Sequence, residues 1–402
     1  MNILQFTSSF PLNEKDFGGV FVRELVEELS PYFQFYILTP DAPNSKVYEK
    51  FASCEVFRYR YFFKKKQILV CDDSIVQNLK KNKLYYFVLP IFLLSGFISL
   101  IKIINRKQID IVQAHWILPQ GLIAVFARVF SKKKIKVIVT SHGTDINLAD
   151  RTIFRPLIKY TLTKCDSINP VSNYLRDKII SLVKSSEKIN TIPMGTKETI
   201  SQKNENNETA ADIKIKNEYL LYVGRLSEDK DIPTLIDAFN KIRPENPELF
   251  LYLAGTGNEL KKLEDLVSQL NIRERVIFLG QLDKEQLYRY YRKAKMLVST
   301  SLTEGFGLVF VEALLNRCPV IATDVGGVKE IIIHGETGLL VEPKNVNKLI
   351  LSINLLLRDS DLRLKLTSSG YNHAIEKYSW RKVGKQFFGL YSDLTTNCSN
   401  NS

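Results

Sequence analysis

Histidine and cysteine are scarce in this chain of 402 residues: four of the first and five of the second. The cysteines (Cys54, Cys71, Cys165, Cys318, Cys398) are scattered, odd in number and never arranged as C-x-x-C. That pattern argues against a structural zinc site or a disulfide framework, and the reducing cytoplasm is the expected compartment. A basic-then-apolar leader is also lacking, because "MNILQFTSSF" reads as a first strand, so a signal peptide is not expected. Acidic residues fall short of basic ones, 43 against 56, for a net charge of +13. The shortfall is local. Residues 1–200 carry 29 Lys+Arg and 17 Asp+Glu, whereas residues 201–402 carry 27 and 26. A basic half suits nucleic acid, an anionic membrane or a phosphorylated substrate, or is only a lysine-rich solvated face.

Long uncharged runs are rare too. One stands out, residues 84–101, eighteen residues between Lys83 and Lys102, interrupted by Pro90, Ser95 and Gly96. It is just long enough to span a bilayer. A span would put strands before residue 83 and after residue 110 on opposite sides of a membrane, where they could not share a sheet. The expectation is a helix lying on the sheet, either wholly buried or with one apolar face turned to a membrane. Its surroundings favour the membrane face: "RYRYFFKKKQ" (58–67), "LKKNK" (79–83) and "NRK" (105–107) interleave aromatic and basic residues, as an anionic interface prefers. The same mixture stacks on single-stranded nucleic acid. No RNA-binding signature accompanies it, so no nucleic-acid partner is expected.

Short runs rich in Val, Ile and Leu recur along the chain. Strands are read at 3–7, 35–39, 111–114, 137–141 and 167–171, and again at 220–224, 250–254, 276–279, 296–300 and 320–323. Amphipathic segments follow most of them, which is the pattern of βαβ units in doubly wound sheets. The polar stretch "TISQKNENNETAADIKIKN" (199–217) reads as a linker. The fold class is therefore α/β, two domains joined near residue 200, with ligands expected at the carboxyl ends of the strands.

Three stretches of the second half carry chemistry. "YVGRLSEDKDI" (222–232) places Gly224, Arg225 and Lys230 after a strand; two cations there suit a diphosphate, although alone they read as an ordinary turn. "LAGTGNEL" (253–260) has Gly-x-Gly, but Leu260 stands where a dinucleotide fingerprint needs a small residue, so the pair is a weak signal for a nucleotide and none for NAD. "TSLTEGFGLVFVEAL" (300–314) holds Glu304 in a turn and Glu312 in a helix expected to begin near Phe306 or Gly307. Glycines let a ligand approach the backbone, and the helix's first N–H groups point at it. Eight helical residues would separate the carboxylates by roughly 12 Å. An acid–base pair on one glycosidic bond needs roughly 5–10 Å. Two carboxylates that far apart suit one elongated ligand held at two points, a sugar and a ribose, or else a cap and a surface acid.

In order, these motifs, "TDVGGVKEIIIHGETGLLVEP" (323–343), "FPLNEKDFGGVFVREL" (10–25), "AHWILPQG" (114–121) and "TSHGTDI" (140–146) resemble the retaining glycosyltransferases of the GT-B fold, group 1 or family 4 type, with their Glu-x7-Glu motif. The resemblance covers nearly the whole chain. It implies two Rossmann-like domains facing across a cleft: an acceptor-binding domain at 1–197, a linker at 198–217, a nucleotide-sugar-binding domain at 218–377, and a helix at 378–396 that crosses back to the first domain. It implies that Glu304 and the backbone of Gly305, Phe306, Gly307 and Leu308 hold the donor hexose and distal phosphate, and that Glu312 holds the ribose. Arg225 and Lys230, beside Gly224, would bind the diphosphate, and His142 would sit over the donor sugar. Gly18 and Gly19 would approach the reaction centre by backbone, and His115 and Asp145 would join the substrate-binding set; His115 reads equally as a satisfied polar group at a strand end.

The resemblance further implies hexose transfer from a UDP or GDP type nucleotide sugar to an acceptor hydroxyl, with no cofactor and no metal. The acceptor expected is a sugar or lipid-linked sugar of surface polysaccharide, lipopolysaccharide or glycolipid assembly, met peripherally at the inner face of the plasma membrane. A nucleotide-sugar epimerase or hydrolase, or a non-catalytic nucleotide-sugar-binding protein, would share the fold. Two positions depart from the family's pattern: Lys197 where an acid is common, and Asp231 where glycine is common. "DSD" (359–361) reads as a helix cap.

Overall fold

The computed structural model describes residues 1–12, 16, 18–67, 69–70, 75, 78–79, 82–197 and 218–399. The linker expected at 198–217 lies outside the described residues. The chain divides into two compact units: unit 1 is Met1–Gly195 with Trp380–Ser402, and unit 2 is Thr196–Ser379.

Unit 1 is built on strands β1 (Asn2–Phe6), β2 (Gln34–Pro40), β3 (Tyr48–Lys50), β4 (Cys54–Tyr59), β5 (Ile111–His115), β6 (Lys136–Ser141) and β7 (Ser167–Pro170), in the order β3-β4-β2-β1-β5-β6-β7. Neighbours pair parallel, except β3 against β4. Its helices are α1 (Val20–Leu29), α2 (Tyr85–Lys107), α3 (Leu122–Phe130), α4 (Arg155–Lys164) and α5 (Asn173–Val183). The strand order reverses between β1 and β5, which makes their carboxyl ends a switch point where α/β sheets bind ligands.

Unit 2 repeats the plan with β8 (Glu218–Val223), β9 (Leu249–Ala254), β10 (Val276–Gly280), β11 (Met296–Ser299), β12 (Val320–Thr323) and β13 (Leu339–Val341). All are parallel, in the order β10-β9-β8-β11-β12-β13, with the switch point between β8 and β11. Helices α6 (Ile232–Ile242), α7 (Leu260–Gln269), α8 (Lys284–Lys293), α9 (Leu308–Leu315), α10 (Val328–Ile331), α11 (Val346–Arg358) and α12 (Ser360–Tyr378) connect them. Helix α6 shows why these segments fold as they do. Ile232, Leu235, Ile236 and Phe239 repeat at the helical period and are buried, and Pro233 sits in the first turn, where a missing N–H costs nothing. Asp359 caps α12, its Oδ1 accepting from Leu362 N at 2.8 Å.

The last helix, α13 (Trp380–Ser399), belongs to unit 1 and packs on α1. Trp380 Nε1 donates to Glu24 Oε2 at 2.8 Å, and Tyr391 is fully buried.

The basic-aromatic run at 58–67 is not the free surface its composition implies. Arg58 lies at the end of β4, buried and paired with Glu49 of β3, and donates to the Pro11 carbonyl at 3.0 Å. Lys64 and Arg60 reach the buried Asp41 carboxylate at 2.7 and 3.3 Å, and Tyr59 and Tyr61 are buried. Arg60, Phe63, Lys65 and Lys66 are the exposed residues of the run.

The uncharged run forms most of α2. It joins β4 to β5 and lies on their sheet. Val88, Phe92, Gly96, Leu100 and Ile104 point inward at helical spacing, and the Phe92 ring sits 5.7 Å from Tyr59 and 5.1 Å from Tyr61.

Candidate active site

In unit 2 three loops meet at the carboxyl ends of β8, β11 and β12. After β8, Gly224 and Arg225 turn the chain, and Asp231 takes the left-handed conformation with φ 45°. This accounts for the departure noted at Asp231: the backbone there has the geometry glycine prefers, and an aspartate is among the residues that tolerate it. Gly255 and Gly257, read above as a weak nucleotide signal, have a packing role. A Cβ on either would fall 1.9 Å from the Gly224 carbonyl oxygen or 2.1 Å from that of Leu226.

The turn after β11 is stitched to this loop. Leu302 N donates to the Asp229 carbonyl at 2.8 Å, and Thr300 Oγ1 donates to those of Lys230 and Asp231 at 3.1 and 2.9 Å. Stitching brings Lys230 Nζ onto Glu304 Oε1, which also accepts from Ser301 Oγ at 3.2 Å. From the other side Gly327 N donates to the Glu304 carbonyl at 3.1 Å. Gly326, with φ 55°, passes so close that a Cβ would fall 1.9 Å from that same oxygen.

Gly305 follows, then Phe306, whose buried ring packs 5.5 Å from Tyr378, which leaves its backbone as the part open to a ligand. Gly307 caps α9 with φ 101°. The helix starts at Leu308, slightly later than expected, so Glu312 lies little more than one turn into it. The Tyr291 hydroxyl donates to Glu312 Oε2 at 3.4 Å; burial, and then the adjacent carboxylate, hold that phenol protonated well above its ordinary range. The carboxylates of the D-x-D at 229–231 serve locally: Asp229 accepts from Ser227 Oγ at 2.6 Å and Asp231 from Thr234 Oγ1 at 2.8 Å. Lys230 and Glu304 are thus brought together, while Arg225 stands exposed in the same loop.

Unit 1 carries a second cluster at its own switch point. Gly19, with φ 72°, opens α1 and lies so close to Ser9 that a Cβ would fall 2.1 Å from the Ser9 carbonyl oxygen. Gly18 N donates to Asp16 Oδ1 at 2.9 Å. His115 ends β5 and is fully buried; His142 follows β6 and is half-buried. Their rings bond directly, His115 Nδ1 to His142 Nε2 at 3.1 Å.

A chain of amides behind them sets the protons. Gln5 Nε2 donates to Gln113 Oε1 at 3.3 Å and lies 3.2 Å from the Tyr391 hydroxyl, so its Oε1 is left to accept from His115 Nε2 at 2.8 Å. Gln113 Oε1 also accepts from Tyr391, and its Nε2 donates to Thr140 Oγ1 at 2.8 Å. With Nε2 protonated, His115 accepts at Nδ1, so His142 donates from Nε2 and keeps an acceptor lone pair on Nδ1. Both imidazoles are neutral: burial, and then the other ring, holds His115 well below the ordinary histidine range, and burial pushes His142 down to about 3.

Asp145 is placed differently from the expectation that it contacts substrate. Its Oδ2 accepts from Ile117 N at 2.7 Å, and its Oδ1 from Ser141 Oγ, Gly143 N and Ile146 N at 2.9, 3.1 and 3.0 Å. Buried and engaged by four donors, it ties the loop after β5 to the loop carrying His142; it is a positioning residue. Two neighbours went unread in the sequence. Trp116, with φ 75°, holds its indole 5.1 Å from His142, and Phe21 of α1 lies 4.8 Å from the same ring. Ring faces beside one imidazole acceptor suit a sugar, which has apolar C–H faces and a polar rim.

Residues 18–198 match the model for Glycosyltransferase Family 4, and residues 203–373 match Glycosyl transferases group 1. An uncharacterised glycosyltransferase of Methanocaldococcus jannaschii is 31% identical over 332 residues, 80% of this chain and 88% of that one. Among solved structures, sucrose-phosphate synthase from Thermosynechococcus elongatus superposes with a TM-score of 0.82 at 23% identity, covering 99% of this chain and 100% of the other. HepE from Anabaena, solved with UDP-glucose, gives 0.73 at 18% identity, covering 97% and 99%. The fold is that of the GT-B enzymes, two Rossmann-like parallel-sheet domains. The chain belongs to the glycosyltransferases of the group 1 and family 4 type.

Proposed function

We propose that this glycosyltransferase moves a hexose from a nucleoside-diphosphate sugar, of the UDP or GDP type, to an acceptor hydroxyl with retention at the anomeric carbon. The observation that carries the reading is the Lys230–Glu304 pair beside the glycine turn and the N-terminus of α9. The bond from the anomeric carbon to the diphosphate breaks, and negative charge grows on the departing phosphate. Lys230, Arg225 and the first N–H groups of α9 stabilise that charge in place of a metal ion. Glu304 accepts hydrogen bonds from the sugar's hydroxyls and Glu312 from the ribose. The acceptor oxygen bonds to the anomeric carbon on the face the diphosphate leaves, and its proton passes to the departing phosphate oxygen. Unit 1 binds the acceptor, and His142 Nδ1, with the Trp116 and Phe21 rings beside it, is available to a hydroxyl of the donor sugar. The acceptor proposed is a lipid-linked sugar, and the compartment the cytoplasm, which the buried free thiols of Cys54, Cys165 and Cys318 suit.

Mass spectrometry of nucleotide sugars retained by the purified protein, followed by turnover with and without lipid-linked acceptors and with chelator, tests this. Expected are a bound nucleoside-diphosphate hexose, nucleoside diphosphate released only with acceptor, and no effect of chelator. Release of free sugar without acceptor makes the protein a hydrolase; a strict divalent requirement overturns the metal-free step and returns attention to Asp229 and Asp231.

A further inference from the structure

The surface of unit 1 holds one feature the transfer chemistry does not use. Helices α2, α3 and α4 are neighbours, α2 packed on α3 and α3 on α4. Each follows a rightward step in the strand order, so right-handed crossovers put all three on one face of the sheet. Their outer surfaces are apolar where a soluble face would be polar. On α2 the inward stripe described above is matched by an outward one, Phe87, Ile91, Leu94 and Ile98, with Phe87 77% exposed. On α3, Val129 and Phe130 are 73% and 64% exposed, and just before α4 Ile153 is 74% exposed. Ring contacts show that these are parts of one surface. Phe97 of α2 lies 5.7 Å from Phe130, and Phe126 of α3 stacks on Tyr160 of α4 at 5.7 Å.

Helix α2 is long and apolar enough to cross a membrane by length and composition, yet only 33% of its apolar window is buried. It cannot cross, because β4 before it and β5 after it are strands of one sheet. The exposed stripe continues in register from apolar to basic: Ile98 is followed four and eight residues on by Lys102 and Arg106, both exposed. Lys132 and Lys134 follow α3, and Arg155 and Lys159 lie on α4, all exposed. Over residues 83–164 the chain carries 13 Lys+Arg and three acids, Asp110, Asp145 and Asp150, a net charge of +10. Asp145 is buried, and Asp110 is paired with Lys133 at 2.6 Å.

We infer that the α2–α3–α4 face of unit 1 docks on an anionic phospholipid bilayer, lying in its interface without spanning it. Phe87, Leu94, Val129 and Phe130 enter the boundary between headgroups and acyl chains, while Lys102, Arg106, Lys132 and Lys134 meet the phosphates. Charge decides the occupant. Lys107, Arg128 and Lys136 are paired with Glu55 and Asp166, which leaves Lys102, Arg106, Lys132, Lys134, Arg155 and Lys159 as exposed cations of this surface. A second copy of this chain would set this cationic surface against its like, and like charges repel across an interface, whereas an anionic leaflet complements it. The inference stands on unit 1 alone and does not depend on which sugar is transferred.

Flotation of the full chain with vesicles of phosphatidylcholine, or of phosphatidylcholine and phosphatidylglycerol in equal parts, tests it. Wild type is expected to float with the anionic vesicles and only weakly with the neutral ones. Lys102→Glu with Arg106→Glu is expected to lower anionic binding on the order of tenfold or more. Leu94→Ser with Phe130→Ser is expected to abolish flotation with both, while melting temperature and transfer to a water-soluble acceptor stay as in wild type. Flotation of every variant alike, or of none including wild type, overturns docking. So does a wild-type dimer on gel filtration that Leu94→Ser with Phe130→Ser turns into a monomer, for the face then belongs to a second copy. Transfer to the soluble acceptor is read on the same samples, so failed flotation with intact transfer leaves the enzymatic reading standing.

Discussion

The two units share a fold and differ in how they use charge. Unit 1 carries 31 Lys+Arg and 17 Asp+Glu, a net charge of +14, and unit 2 carries 25 and 26, a net charge of −1. At their switch points the contrast reverses. The basic unit places a neutral pair there, His115 and His142, satisfied by amides behind them. The nearly neutral unit places an ion pair there, Lys230 and Glu304. Lys230, expected to meet a diphosphate, is paired with a carboxylate, whereas His142, expected to meet a hydroxyl, sits among aromatic rings and is held neutral by burial. Surface charge and site charge are therefore separate: the net charge of a unit does not predict the charge at its switch point.

The largest effect expected is at the ion pair. Glu304→Ala removes the acceptor of the sugar's hydroxyls and leaves Lys230 without its partner; turnover is expected to fall by about 10²-fold or more with the melting curve little changed. Near-normal turnover in the folded variant would take Glu304 out of the mechanism and erase the contrast. Next is Gly326→Ala. Its Cβ has no room beside the Glu304 carbonyl, and φ 55° disfavours it further, so the 304–307 turn must shift. Donor affinity is expected to drop about tenfold, since misplacing a positioned group by about 1 Å costs up to roughly 10²-fold. Calorimetric titration with nucleoside diphosphate checks it, and unchanged affinity would mean the turn is not held by this contact.

The smallest effect sharpens the neutral side. His142 has a folded pKa of about 3, below its ordinary value of 6.5. Folding thus opposes protonation: above about pH 6.5 the histidine costs nothing, and as pH falls toward the folded value the unfolded chain binds the proton first and stability is lost. His142→Gln is expected to flatten the decline of melting temperature between about pH 7 and about pH 5 without abolishing it, because His115 is depressed too. An identical slope in the variant would show that His142 titrates normally.

Much of this was legible in the sequence. Strands such as β6 and β12, "KVIVTS" and "VIAT", are short β-branched runs of the kind a buried parallel sheet uses, and the Gly-Arg, Lys and Glu-Gly-Phe-Gly motifs follow strand ends where fixed spacing exposes them. What stayed hidden depends on partners distant in sequence. Strand β4, "CEVFRY", looks polar because Glu55 and Arg58 are in it; Arg58 is buried only because Glu49 meets it from β3. Strand β13 has three residues, too few for periodicity to register. Phe21 and Trp116 follow a glycine pair and a histidine already singled out, but nothing in their spacing announces that their rings converge on His142. Asp145 was read as a substrate group from its motif, and only its four donors reveal a brace.

Helix α13 sets an order in time. Unit 1 is interrupted by the whole of unit 2, so its sheet is translated before unit 2 and helix α13 after it. All six strands of unit 2 have been translated by residue 341, and its last helix by residue 378. Trp380, which bonds Glu24, and Tyr391, which bonds Gln113, arrive only afterwards. A nascent chain can complete unit 2 while the amides behind His115 still lack their hydroxyl partner, so unit 1 is finished by residues made after the whole of unit 2.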